Sequence, residues 1–190
     1  MEEILNPQQS LEIIQRTIAE AKTRFQENGL LYIFWGALIA FCAIAQFVME
    51  SQHVPYAFAV WFLTILGFFI TFIYFYRKNR NVRRGKNIIS EILSSSGIIV
   101  GVNISLLGFC FWMFLGSSFI PIVVIFLSFY TMIIGKALQF RQMFISGLIS
   151  NVLGFALFFV PLQYQPLGLA AVAIFLLLIP GILLNRMNAK

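Results

Sequence analysis

Glu50 and His53, three residues apart, are the side chains of this 190-residue chain whose types and spacing come nearest to acid–base or metal chemistry. A metal centre needs clustered His, Cys or carboxylates, and a hydrolase needs a base set beside its nucleophile. No nucleophile motif adjoins His53. The pair reads as an interfacial polar turn, with pH sensing or metal binding as the sharper alternative. Cys42 and Cys110 are isolated in apolar runs, which suits small apolar fillers and neither a disulfide framework nor a thiolate site. The chain has no Asp and no phosphate-binding glycine motif. Asn103 and Asn151 are the strongest polar groups in apolar surroundings, and hydrogen bonding between helices is their expected role. This inventory predicts no catalytic residue, no cofactor and no metal.

The scarcity of such residues follows from composition. The chain is 60% hydrophobic, 16% aromatic and 11% charged, with a mean hydropathy of +0.89. A soluble domain carries about 25% charged residues. A chain with less than half that share cannot cover a water-facing surface. Soluble enzymes, disordered chains and disulfide scaffolds are excluded, which leaves an integral membrane protein.

Charge-free stretches then count the elements. Residues 28–76 hold one charge, Glu50, while 92–135 and 142–185 hold none. A helix needs about 20 apolar residues to cross a hydrocarbon core roughly 30 Å thick, so each block suits two crossings and a turn. Polar or helix-breaking residues at 49–55, 116–118 and 161–166 mark the turns. Pro55, Pro121 and Pro166 stand where the second helix of each pair begins, and a missing N–H is tolerated there. The expected fold is all-α, a polytopic bundle of six transmembrane helices in three hairpins, because in lipid the backbone must satisfy itself. The spans are 30–48, 56–76, 98–115, 119–135, 143–160 and 167–184, with a tail at 185–190. None of them contains a Glu, whereas intramembrane ionisable groups are the usual marks of proton relays and embedded catalysis.

All thirteen Lys and Arg fall on one side of this map. Arg16, Lys22 and Arg24 precede span 1. Arg77, Lys78, Arg80, Arg83, Arg84 and Lys86 lie between spans 2 and 3, Lys136 and Arg141 between spans 4 and 5, and Arg186 and Lys190 after span 6. The positive-inside rule then makes both termini cytoplasmic, in the inner membrane if the host is a bacterium. Residues 1–29 are polar, so no cleavable signal peptide is expected and span 1 serves as an uncleaved insertion signal. The six cations of Arg77–Lys86 are a topology determinant that also suits anionic headgroups. Nothing interleaves them with aromatics, so nucleic acid is not an expected partner.

Small residues form stripes at helical spacing, and these let helices approach closely in lipid. They are Gly36, Ala40 and Ala43 in span 1, and Ser90, Ser94, Gly97, Gly101, Ser105 and Gly108 in and before span 3. Span 5 carries Gly147, Ser150, Asn151 and Gly154. The odd spans are expected at the bundle centre, with a homo-oligomer or partner interface as the alternative. The Phe-rich even spans, as at Phe68, Phe69, Phe72 and Phe75, are expected to face lipid. Gly85-Lys86 and Gly135-Lys136 precede spans that each hold a Leu-Gly-Phe (Leu107–Phe109, Leu153–Phe155), which fits parallel repeats or shared membrane constraints.

Residues 6–27, within the cytoplasmic segment 1–29, read as an amphipathic helix. Asn6 is its cap, Pro7 its first position, and Leu11, Ile14, Ile18, Ala21 and Phe25 its apolar stripe. The segment 1–29 carries five Glu against three Lys and Arg. That balance favours docking beside the basic loop, or a partner helix, over anionic lipid.

The chain resembles a family of small six-span inner-membrane proteins widespread in Bacteroidetes. The resemblance covers most of the chain and is carried by Gln9-Ser10-Leu11, Trp35-Gly36 and Ile179-Pro180-Gly181. Gly135-x-x-Leu138-x-Phe140-Arg141 leading to Gly147 belongs to it too, although Gln142 stands where members often have proline. It implies location and architecture and brings no established activity. The expected function is that of a non-catalytic protein that assembles with, or regulates, a partner through its cytoplasmic face. The alternative is a small-solute transporter or substrate-binding membrane subunit, similar in scale to the capture components of energy-coupling-factor vitamin transporters. Membrane lipids, a second copy or another membrane protein are the expected partners.

Overall fold

Six helices are long and apolar enough to cross a membrane: Gly29–Ser51, Ala57–Arg77, Glu91–Phe111, Met113–Ala137, Arg141–Phe159 and Leu162–Arg186, here spans 1 to 6. The computed structural model describes residues 7–26, 29–81 and 88–188. Among these the fold is all-helical, without strands. Two carboxylates absent from the expected spans enter the observed ones, because the helices continue past the apolar stretches. Glu50 lies in the last turn of span 1, and Glu91 opens span 3.

The chain reverses at residues with left-handed backbones. His53 (φ 56°) and Tyr56 (φ 61°) lie between spans 1 and 2, and Gly116 (φ 49°) lies just inside the start of span 4. Gln139 (φ 53°) lies between spans 4 and 5. Of these only Gly116 escapes the steric cost of a Cβ in that region. Between spans 5 and 6 the backbone is extended at Val160 and Pro161. There the buried Gln165 donates its Nε2 to the carbonyls of Leu157 (3.3 Å) and Val160 (3.1 Å), satisfying the frayed end of span 5. Ile174–Leu178 in span 6 is π-helical. It precedes Pro180, which has no N–H for the Leu176 carbonyl, and a wide turn accommodates that lost bond.

Packing is uneven. Span 1 runs along the length of span 6 in the most extensive contact, spans 4 and 5 share the next, and spans 3 and 4 meet sparsely. One core cluster joins Ala40, Ala43, Ile120, Val124, Leu157, Leu169 and Leu176. A second joins Leu93, Ile134, Leu138, Phe140, Met143 and Leu184 towards the other end. The expected division into central odd and peripheral even spans is corrected here. Spans 4 and 6 are 44% buried over their most apolar stretch and span 3 is 0% buried. Only span 2 behaves as expected of an even span, with Phe68, Phe69, Phe72 and Phe75 all exposed. A stripe of small residues permits close approach, but burial also needs a neighbour that fills it.

The helix Pro7–Gln26 precedes the bundle and touches the helices Ile88–Leu106 and Ile179–Asn188. Asn6, the expected cap, lies outside the described residues.

Candidate functional site

The stripes resolve into two sets of close contacts and one open face. Along spans 4 and 5, a methyl group added at Gly135 would lie 2.5 Å from the Phe144 backbone nitrogen. At Gly147 it would lie 2.6 Å from Met132 Cγ, and at Gly154 2.9 Å from Ile125 Cγ1. Asn151 joins this seam by donating Nδ2 to Ser128 Oγ (3.2 Å). The Ser128 hydroxyl in turn donates to the Val124 carbonyl at 2.8 Å. The neighbouring Ser150 Oγ is buried with no partner among the described residues. Spans 1 and 6 form the second set. A methyl at Gly36 would meet the Leu178 nitrogen at 2.7 Å, and one at Gly181 the Ile33 nitrogen at 2.7 Å. Ala40 is buried in the same core.

Span 3 differs. Tyr130 of span 4 donates its hydroxyl to the Leu93 carbonyl (3.0 Å) and stands over Gly97. Gly108 leaves room for a methyl in ordinary contact with Phe119, and nothing lies within 4 Å of such a group at Gly101. Ser105 donates to the Gly101 carbonyl of its own helix (2.8 Å). Asn103 is exposed and donates Nδ2 to the Ile99 carbonyl (2.8 Å), again within its helix. The structure thus places Asn151 in an interhelical bond and leaves Asn103 outside one.

The basic residues gather at one end. The start of span 1, the end of span 4, the start of span 5 and the end of span 6 meet there. Lys136, Arg141 and Arg186 are exposed around it. The helix after span 2 continues to Asn81, so Arg77, Lys78 and Arg80 ride on helical turns rather than on a loop. Arg83, Arg84 and Lys86 lie outside the described residues. At this end the N-terminal helix leaves Leu11, Ile13 and Ile14 more than half exposed. Its Arg16 and Glu20 form an exposed ion pair at 3.3 Å, four residues apart, which adds little stability.

At the opposite end a polar relay ties spans 1 and 2. Trp61 Nε1 donates to Gln46 Oε1 (2.6 Å), and Gln46 Nε2 donates to Glu50 Oε1 (2.7 Å). His53 is joined to Glu50 through the backbone, its N–H donating to the Glu50 carbonyl at 3.1 Å. Glu50, Pro161, Leu162 and Gln163 line an open depression of about 490 Å³. Among the described residues no three His, Cys, Asp or Glu side chains come together.

No protein-family model, curated protein or solved structure matches the chain. Several residues that organise it carry no sequence signal. Tyr130 bonds a backbone carbonyl, and Gly181 matters only because Ile33 faces it. Gln46 was findable, since it stands one helical turn before Glu50 on the same face.

Proposed function

We propose that this chain is a non-catalytic, multi-pass inner-membrane protein with both termini in the cytoplasm, and that it assembles with or regulates a partner through its cytoplasmic face. The N-terminal helix carries the reading, because Leu11, Ile13 and Ile14 are exposed at the end of the bundle that bears Lys136, Arg141 and Arg186. An apolar patch outside the spans, with Glu12 and Arg16 exposed beside it, suits an amphipathic partner helix. Native mass spectrometry after gentle extraction from the native membrane tests this. A stoichiometric protein partner, released by Leu11→Asp with Ile14→Asp, supports it. A partner-free chain carrying one bound small molecule contradicts it. The depression beside Glu50 supports the second reading, a solute-binding membrane subunit. Stabilisation of the purified protein by a single solute, lost in Glu50→Gln, would establish that one instead.

A further inference from the structure

Asn103 lies within two residues of the middle of span 3, Glu91–Phe111, and so close to the bilayer midplane. It is exposed on a span whose apolar stretch holds no fully buried residue among those described. Its amide has one hydrogen bond among the described residues, to the carbonyl of Ile99 in the preceding turn. An amide has two acceptor sites and two donors, and hydrocarbon supplies none of their partners. Around it Ile99, Val102 and Leu106 are all more than half exposed. A shallow groove of about 430 Å³, lined by Ile88, Glu91, Ile92, Ser95, Ser96 and Ile99, runs along the helix from this patch, with Glu91 at its far end.

We infer that this face of span 3 is the interface with a second copy of the same chain, centred on an Asn103–Asn103 hydrogen-bonded pair. A lipid tail fills a groove but bonds no amide. A second copy inserted with the same topology necessarily presents its Asn103 at the same depth, and a carboxamide is its own complement as donor and acceptor. A two-fold axis along the membrane normal brings the two together and closes the assembly at a dimer. Glu91 does not oppose this. It lies twelve residues away, about 18 Å along the axis and about a third of a turn around it, so like charges stay clear of the crossing point. The interface is separate from the N-terminal helix, and its test is independent of the cytoplasmic partner.

The experiment uses the full chain in phosphatidylcholine vesicles, with Cys42→Ala and Cys110→Ala as background. Single cysteines replace Ile99, Leu106 or, as a comparison on span 2, the exposed Phe69. Copper-phenanthroline oxidation is expected to give covalent dimers from Ile99→Cys and Leu106→Cys, and none from Phe69→Cys. Asn103→Leu should lower the dimer yield about tenfold, the scale of one interhelical polar contact in a membrane, while Asn103→Gln retains it. Circular dichroism of Asn103→Leu should stay at the wild-type value, since within one chain the residue bonds only its own helix. Subunit counting by single-molecule photobleaching gives two copies for wild type and one for Asn103→Leu. A single copy for wild type at every lipid ratio would overturn the inference. So would cross-linking at Phe69→Cys as strong as at Ile99→Cys, or an unchanged dimer in Asn103→Leu.

Discussion

Spans 3 and 5 carry the same kind of stripe and use it in opposite ways. In span 5, Gly147 and Gly154 are filled by Met132, Val124 and Ile125 of span 4, with Gly135 pressed on the Phe144 backbone from the other side. In span 3, a methyl at Gly101 would meet nothing within 4 Å, although the Tyr130 hydroxyl covers Gly97, and the helix is held to span 4 by the Tyr130–Leu93 hydrogen bond and a light contact at Phe119. The polar residues divide likewise, with Asn151 bonded across helices and Asn103 within its own. A small-residue stripe is a capacity for close packing. What occupies it is decided by the facing helix.

Three substitutions bear on that contrast, taken here from the largest effect to the smallest. Gly135→Ala should be the most damaging, because backbone rather than a flexible side chain stands 2.5 Å from the new methyl. A loss of about 3 kcal/mol, the upper part of the overpacking range, is expected in denaturant unfolding in micelles. A loss under about 0.5 kcal/mol would show that the seam between spans 4 and 5 is looser than described. Gly36→Ala meets the Leu178 backbone at 2.7 Å, where the π-helical turn of span 6 offers some slack. About 2 kcal/mol is expected there in the same unfolding measurement. Tyr130→Phe removes the hydroxyl that bonds Leu93 and should cost about 1 kcal/mol. Amide exchange should then rise in span 3 and stay unchanged in spans 4 and 5. A uniform rise across all three would mean that span 3 is no separate unit.

The number of spans was legible because charges are excluded from hydrocarbon, so the gaps at 28–76, 92–135 and 142–185 count helices directly. The turns at Gly116 and before Pro166 were legible for the same local reason, backbone chemistry. Span neighbours were not. Gly36 stood out as small, but nothing in the sequence says that Leu178 fills the space beside it. Gly101 looks the same in sequence as Gly147. Placing odd spans centrally failed on that point, since burial belongs to pairs of helices and a stripe describes one. Gln165 was passed over as a turn residue, although it caps span 5 from within the core.

The matched pair Gly147→Ala and Gly101→Ala, unfolded in the same micelle, tests the central contrast most directly. The two glycines occupy equivalent small-residue stripes, and the added methyl is identical. Gly147→Ala should lose about 2 kcal/mol against Met132. Gly101→Ala should match wild type or gain up to about 1 kcal/mol from the better helix former. Equal losses at both positions would contradict the account, for they would place a neighbour at Gly101 as close as the one at Gly147.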